Sequence, residues 1–412
     1  MSAQASHPGP HHPARDFAQA LNGVLLHSGV RTALHWLEQA QEWILEEQIR
    51  LTEIPAPTFH EGRRARAVRN LLRTLGWEAK LDAAGNVVAE QSGARPEVVL
   101  VSAHLDTIFP AGTVIRVRAE GSRLYGPGIA DNGAGLAALL ALARALHEAR
   151  LNPQKTIVLA ANVAEEGEGN LRGMQALLQR YRERLAAVIV LDGPGEAGVT
   201  TSAVASRRLE IAFAGPGGHS WGDFGIPNPI HALGRAIARI SALPLPQAPR
   251  SALSVTRVEG GCAINSIPAR AALKVDIRSE QEAEALRLEQ QVRLIAARCV
   301  QEELQRARPD SPLLEVQVRL LGARPGGRLS ADAPLLEALQ AVDRWLGIET
   351  VYESGSTDAN LPLSLGIPAV ALGAGGRGGA IHTPEEWYDA AGRERALQRI
   401  LLLTLLQAGL EG

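Results

Sequence analysis

Two histidines and several carboxylates that could bind divalent cations occur in five short motifs of the 412-residue chain. The motifs are His104-Leu105-Asp106, Asp131-Asn132-Gly133, Glu165-Glu166-Gly167, Asp192-Gly193 and Ile381-His382-Thr383. Each motif alone is weak evidence, because a single acidic residue more often caps a helix or faces solvent. Together, and in this order, the motifs favour one shared site. Imidazole and carboxylate ligands suit two zinc, cobalt or manganese ions.

The number of ligands fits a dinuclear centre in which one carboxylate contacts both cations. Two metals ~3.5–4 Å apart can share such a ligand, and Asp131 is the candidate for it. In an extended chain, residues two apart point the same way, so Asp106 could orient the ligand His104 through a hydrogen bond. One carboxylate of the Glu165–Glu166 pair is then left as a general base. The alternative is an acidic, solvated rim that binds no metal.

Alternating helix and strand patterns up to about residue 205 predict the elements that position these motifs. Helical periodicity covers 33–52, 62–75, 136–149 and 171–184, and apolar runs at 97–103, 156–163 and 187–191 indicate strands buried on both faces. This alternation predicts an α/β fold with a mostly parallel sheet and helices on both faces. Active sites of such sheets lie at the carboxyl ends of the strands, where the motifs of His104, Glu165 and Asp192 fall.

Near residue 206 the pattern changes to that of a small α+β domain. Alternating strand-like stretches cover 207–214, 253–258, 272–278 and 314–320, and helices are predicted at 229–242 and 280–306. These elements indicate a ferredoxin-like domain of the split βαβ type. The first pattern then returns, with helices at 334–345 and 391–408 and strands at 350–353 and 368–372. We therefore predict a disordered tail (1–20), a catalytic domain in two parts (21–205 and 323–412) and an inserted domain (206–322).

Composition argues against several classes of function. The 42 Lys and Arg residues nearly balance the 44 Asp and Glu residues, and no basic block occurs, so nucleic-acid binding through bulk charge is not expected. No segment approaches the ~18 apolar residues of a membrane span, and the N-terminus lacks the apolar core of a secretory signal. We therefore predict a cytoplasmic protein without membrane contact. Two cysteines, Cys262 and Cys299, are too few for a disulfide framework or a thiolate zinc site.

From about residue 35 onward, the chain resembles a family of dinuclear zinc exopeptidases and deacylases. That family includes carboxypeptidase G, peptidase T, aminoacylase, acetylornithine deacetylase and succinyl-diaminopimelate desuccinylase. The stretches that carry the resemblance, in the family's order, are IPAPTFHEG, SAHLDT, GPGIADNGAG, AEEGEG, LDGPG, GGHS, INSIPARAALKVDIR, SGSTDANLP and GAGGRGGAIHTPEEW. The interrupted catalytic domain is also similar to the layout of the family.

The resemblance implies a role for each residue that matches a family motif. Five side chains would hold two zinc ions: His104, Asp131 and Asp192 the first, and Asp131, Glu166 and His382 the second. Asp106 would support His104, and Glu165 would act as the general base. The peptide bond between Asp131 and Asn132 would be cis.

The resemblance also implies a homodimer in which the inserted domain makes the dimer contact and covers the site. On the sequence alone, His219 lies on a loop between a strand and a capped helix and is more often a surface residue. In the family, the matching histidine reaches the oxyanion in the partner subunit's site. Asn265 and Arg278 would hold the substrate's carboxylate or backbone. The loops 354–358, which contains Ser356, and 373–379 would offer backbone N–H groups to the same end of the substrate.

These roles amount to metal-assisted hydrolysis of an amide bond. Water activated by two zinc ions would attack the carbonyl, and Glu165 would take its proton and pass it to the leaving amine. The predicted substrates are small peptides, cleaved by an exopeptidase similar to peptidase T or carboxypeptidase G. The alternative is a deacylase that acts on N-acyl amino acids, as acetylornithine deacetylase does. A non-catalytic dimeric scaffold is a further hypothesis, but it predicts a missing ligand or base, and none is missing.

Overall fold

The computed structural model describes residues 17–411. Its α-helices are α1 (Phe17–Leu26), α2 (Ser28–Gln39), α3 (Gln41–Thr52), α4 (Gly62–Thr74), α5 (Gly133–Glu148), α6 (Arg172–Tyr181), α7 (Pro229–Ser241), α8 (Glu282–Arg306), α9 (Pro334–Leu346), α10 (Asn360–Ser364) and α11 (Arg393–Ala408). Residues 1–16 of the predicted tail (1–20) lie outside the residues that the structure describes. For residues 17–20 the prediction was wrong, because α1 buries Phe17 and Leu21 in the main hydrophobic core.

The strands of the described residues range from two to ten residues in length. They are β1 (Lys80–Leu81), β2 (Val87–Gln91), β3 (Arg95–His104), β4 (Arg118–Glu120), β5 (Arg123–Tyr125), β6 (Lys155–Asn162), β7 (Leu185–Leu191), β8 (Gly198–Ala203), β9 (Ala205–Ala214), β10 (Gly218–His219), β11 (Ser251–Gly260), β12 (Ser266–Ile267), β13 (Arg270–Ser279), β14 (Glu315–Arg324), β15 (Gly327–Arg328), β16 (Val351–Gly355), β17 (Ala369–Leu372), β18 (Arg377–Gly379) and β19 (Trp387–Asp389).

The largest sheet of the described chain has nine strands, in the order β1-β2-β6-β3-β7-β17-β8-β15, with β16 also paired to β8. The four central strands, β6, β3, β7 and β17, run parallel, whereas the pairs that flank them are antiparallel. In β3, β6 and β7 every residue after the first one to three is buried, as expected for strands covered by helices on both faces. The predicted α/β fold is confirmed.

The inserted region forms a second sheet with its own hydrophobic core. Strands β11, β13, β9 and β14 pair antiparallel in that order, and α7 and α8 pack on one face. Helix α7 begins as its sequence predicts: the Asn228 side chain accepts a hydrogen bond from the backbone N–H of Ile230, and Pro229 occupies the first helical position. Along β13, odd-numbered residues are buried under the helices, so even-numbered ones face away from them.

Three differences from the predicted elements have local causes. The single helix predicted over 33–52 is two helices, and the chain turns at Ala40, where Trp36 and Trp43 pack edge to face at 5.7 Å. The helix predicted over 171–184 ends at Tyr181 and continues only as a 3₁₀ turn. The three-residue strands of a small sheet, β18-β19-β5-β4, are too short for periodicity to reveal. Among residues 17–411, no helix has the length and apolarity needed to cross a membrane.

Candidate metal centre

The five predicted motifs meet at the carboxyl ends of the central parallel strands. His104 is the last residue of β3, Glu165 and Glu166 follow β6, and Asp192 follows β7 directly. Asp131 lies just before the first turn of α5. His382 comes from the loop between β18 and β19, and its φ of 67° places its backbone in the left-handed region. The fold therefore brings together residues that are far apart in the sequence.

The ligand atoms form two groups that share Asp131. His104 Nε2 lies 3.0 Å from Asp131 Oδ1 and 3.7 Å from Asp192 Oδ1. His382 Nε2 lies 3.0 Å from Asp131 Oδ2 and 3.0 Å from Glu166 Oε1. Within each group the ligand atoms lie within 4.8 Å of one another. Asp131 thus turns one carboxylate oxygen towards each group, the arrangement that a bridging ligand requires.

Hydrogen bonds to buried side chains fix the loop that carries Asp131. The peptide bond between Asp131 and Asn132 is cis, as the resemblance implied. The Asn132 side chain accepts hydrogen bonds from the N–H groups of Gly135 and Gly193 and donates one to the Leu191 carbonyl. It therefore joins the start of α5 to the end of β7. Glu386, which the sequence analysis did not single out, accepts the backbone N–H groups of residues 128, 130 and 131 at 2.8–2.9 Å.

Asp106 connects the His104 loop to the loop of the two glutamates. Its Oδ1 and Oδ2 atoms each lie 2.9 Å from a backbone nitrogen, those of Glu165 and Glu166 respectively. Thr58 donates a further hydrogen bond to Oδ2. His104 Nδ1 lies 3.0 Å from the Asp106 carbonyl oxygen and 3.6 Å from its carboxylate. The predicted support of His104 by Asp106 therefore runs through the backbone carbonyl first, while the carboxylate positions both glutamates.

Glu165 is held by a buried arginine from the end of the inserted region. Arg324 Nη1 donates to Glu165 Oε1 at 2.7 Å, and its Nη2 donates to the Glu165 carbonyl. Burial raises the pKa of Glu165 well above its usual range, although the Arg324 guanidinium opposes this shift. Glu165 also lies near enough to His104 and Glu166 to form a third possible ligand group. Because Arg324 occupies one of its oxygens, we interpret Glu165 as the residue that is not a ligand.

Sequence reasoning missed Arg324 and Asp358, both of which are buried beside the site. Arg324 begins an Arg-Pro-Gly-Gly stretch beside the predicted domain boundary after residue 322. Asp358 belongs to the quoted SGSTDANLP stretch, but no role was given to it. Burial raises the pKa of Asp358 to about 7, and its Oδ2 accepts a hydrogen bond from Asn162 at 2.6 Å. An acidic residue within a quoted motif was the signal that could have found Asp358.

The charges at the centre fit divalent cations. Burial lowers the pKa of His104, but hydrogen bonds with carboxylates, first those of Asp106 and Asp131, outweigh it and raise this pKa well above its usual value. Hydrogen bonds with Asp131 and Glu166 raise the pKa of His382 to about 10. The neighbouring carboxylates thus favour the protonated, positively charged form of both imidazoles. Two divalent cations would supply that charge instead, and the two-histidine, three-carboxylate set suits zinc, cobalt or manganese.

A cavity of about 340 Å³ opens above the metal centre. Besides the ligands and Glu165, the residues that line it include Thr200, Arg208, Arg278, Arg324, Glu353 and Ser356. Two of these, Arg278 and Ser356, were predicted to bind substrate. The other two predicted substrate contacts, His219 and Asn265, are exposed and do not line the cavity of their own chain.

Comparisons with known proteins show which family this chain resembles. The family model described as peptidase family M20/M25/M40 matches residues 100–405. A protein provisionally described as a succinyl-diaminopimelate desuccinylase, from Mycobacterium tuberculosis, is 28% identical over 79% of this chain and 88% of its own. Carboxypeptidase G2 from a Pseudomonas species is 26% identical over 74% of this chain and 75% of its own. The crystal structure of aminopeptidase PepT from Bacillus cereus superposes with a TM-score of 0.69, at 20% identity, over 89% of this chain and 99% of that one.

The geometry leads to a prediction about metal content. Each chain incubated with excess zinc, cobalt or manganese is expected to bind close to two ions. Asp131→Ala should lose both, because its two oxygens face both ligand groups, whereas His382→Ala should lose mainly one. Elemental analysis of the folded, desalted protein measures this. His35→Ala, which changes an exposed histidine outside the centre, should keep both ions. A folded wild-type chain that retains no metal would contradict the prediction.

Proposed function

The chain belongs to peptidase family M20/M25/M40, and from this membership we propose that it hydrolyses the terminal amide bond of small peptides. Its family makes it a metal-dependent peptidase or amidohydrolase. One observation carries the finer proposal. Asp131 faces a histidine with each oxygen, while the neighbouring Glu165 accepts a hydrogen bond from Arg324 at one of its oxygens. A shared metal ligand therefore stands beside a carboxylate that is able to accept a proton.

Each ligand group would hold one ion: His104, Asp131 and Asp192 the first, and Asp131, Glu166 and His382 the second. When bound, a pair of zinc ions lowers the pKa of water and polarises an amide carbonyl. Glu165 Oε2 then receives a proton from the attacking water, and the same oxygen delivers it to the departing amine nitrogen as the C–N bond breaks. Arg324 holds Oε1 meanwhile, and Glu165 is one of the residues that line the cavity. The products are a carboxylic acid and an amine.

We assign the stabilisation of the oxyanion to His219 of a second copy of this chain. The Nδ1 atom of His219 accepts the backbone N–H groups of Trp221 and Gly222, at 3.2 and 3.3 Å. The ring proton therefore belongs on Nε2, which leaves that atom as a donor directed away from its own loop. A donor of this kind suits a negatively charged oxygen. Because His219 is exposed and does not line its own cavity, a homodimer would give it a site to act on.

Asn265 is placed to accompany His219 into the same partner site. Strands β10 and β12 pair His219 with Ser266, and the Asn265 carbonyl accepts the Ser220 N–H at 3.0 Å. The two predicted contacts are therefore parts of one hydrogen-bonded unit. Within the chain itself, Arg278 is the candidate for the substrate's carboxylate. Ser356, whose Oγ accepts a hydrogen bond from Arg324, lies at the base of the same cavity.

A deacylase is the second candidate, because the Mycobacterium tuberculosis relative is described as removing a succinyl group. A non-catalytic scaffold receives no support, since the family is enzymatic and the side chains predicted as ligands lie close together. Hydrolysis of di- and tripeptides and of N-acyl amino acids, with zinc, cobalt and manganese in turn, separates the two candidates. We expect cleavage of the peptides to dominate. Faster cleavage of the acyl amino acids would favour the deacylase, and cleavage of neither would contradict the proposed function.

A further inference from the structure

Glu353 is an acidic residue of the cavity that the metal centre does not use. It lies on β16, opposite Thr200 of β8, and lines the same cavity as the metal ligands. The neighbouring Gly198 leaves room for it, because a Cβ atom at residue 198 would lie 3.2 Å from both carboxylate oxygens of Glu353. The glycine and the parallel pairing thus place this carboxylate at the wall of the cavity, on the side of the large sheet.

The other carboxylates that line the cavity each have a partner. Asp131 and Asp192 contact His104, Glu166 contacts His382, and Glu165 contacts Arg324. Over residues 17–411 the Glu353 side chain has no such partner, neither an ion pair nor a hydrogen bond. If the metal-ligand residues bind cations, Glu353 is therefore the carboxylate of the cavity that has no positively charged partner among the described residues. A neutral group placed against it would remove water from the charge without replacing the lost hydrogen bonds, which is unfavourable.

Positively charged side chains also line the cavity, among them Arg208 and Arg278. Arg208 and Arg278 project from the face of the inserted sheet that looks away from its helices, and both contact the single carboxylate of Asp276. Arg208 also donates to the Gly167 carbonyl beside the metal centre. Neither arginine forms an ion pair with Glu353. The cavity therefore presents both guanidinium groups and an unpaired carboxylate to whatever occupies it.

We propose that Glu353 binds a primary ammonium group of the substrate, so that the enzyme prefers amides that carry both an ammonium and a carboxylate group. This inference rests on the proposed function and names its substrate class. The carboxylate of the substrate faces Arg208 and Arg278, and its ammonium group faces Glu353. Two sources share this chemistry: the free N-terminus of a peptide, and the side-chain amine of a basic amino acid.

Two matched pairs of amides test the inference and separate the sources. Alanyl-alanine and propionyl-alanine differ only in the N-terminal ammonium group. Nα-acetyl-lysine and Nα-acetyl-norleucine differ in the side-chain ammonium group. For the zinc-loaded wild type, kcat/KM should favour the ammonium member of one pair by about tenfold or more, the effect of a hydrogen bond between charged groups. In Glu353→Gln that ratio should fall to about one.

A control variant and a binding measurement complete the experiment. Glu349→Gln removes an exposed carboxylate just before β16 that does not line the cavity, and it should keep the wild-type ratio. Calorimetric binding of the same four compounds to Glu165→Gln, with and without Glu353→Gln, should show the same loss of discrimination without turnover. Equal rates within both pairs, or a ratio that Glu353→Gln leaves unchanged, would overturn the inference alone. Cleavage of none of these amides, nor of any peptide in the wider panel, would overturn the proposed function and the inference together.

Discussion

Glu165→Gln is expected to keep both metal ions and to lose activity by ~10²–10⁴-fold or more, the range ascribed to a general base. The amide oxygen of glutamine can still accept the hydrogen bond from Arg324 Nη1, so the side chain should stay in place. Its amide nitrogen cannot take a proton from water. Elemental analysis and kcat on the preferred peptide, measured on the same preparation, test both halves of this expectation.

Glu166→Gln is the matched comparison, because it changes the adjacent residue in the same way. Its Oε1 lies 3.0 Å from His382 Nε2, within the second ligand group. The substitution should therefore weaken metal binding itself, chiefly of one ion, and added metal should partly restore activity. If Glu166→Gln kept its metals and stayed inactive while Glu165→Gln lost metal, our assignment within the pair would be wrong.

Mixing two inactive variants is expected to restore activity if His219 serves the partner subunit. Glu165→Ala and His219→Ala should each be nearly inactive. When they are refolded together, about half of the dimers pair one chain of each kind, and in those one of the two sites has both residues intact. Activity should therefore return to roughly a quarter of the wild-type value in a closed two-fold dimer.

The control for this experiment is the mass of the mixed species. If mixed dimers are confirmed and activity does not return, His219 acts in its own chain, and the shared site is excluded. If the protein is monomeric at the assay concentration, the homodimer itself is contradicted. Refolding each variant alone supplies the background rate.

Sequence reasoning located the parts of the site that depend on local pattern. His104, Glu165 and Asp192 follow apolar strands, and buried parallel strands are recognisable from their continuous apolar runs. The sequence could not show which loops lie next to one another in the folded chain. Arg324 contacts Glu165 across 159 residues, and Glu386 contacts the Asp131 loop across 255 residues. Neither contact leaves a trace in spacing or periodicity, since each depends on how the inserted sheet and the final loop pack.

The long elements of the fold could be predicted from the sequence, whereas the short ones could not, because only the long ones have a recognisable pattern. Long strands and amphipathic helices have a period that can be counted, and their predicted bounds differ little from those observed. The small sheet that carries His382 towards Asp131 consists of three-residue strands, which no period describes. The turn at Ala40 likewise has no helix-breaking residue to mark it, and Trp36 packs against Trp43 across it.

The two points at which the inserted region joins the large sheet lie side by side. Strands β8 and β15 are antiparallel neighbours, with Ala203 opposite Gly327, so residues 204–326 occupy the position of a hairpin turn. A short turn would connect the same two strands without moving either. Domains can enter a chain at such points because the two ends of the gap already lie side by side. In evolutionary terms, the layout fits the insertion of residues 204–326 between β8 and β15 in one event. In engineering terms, an inserted region from a relative would be joined at these two residues, and it would have to supply its own counterpart of Arg324.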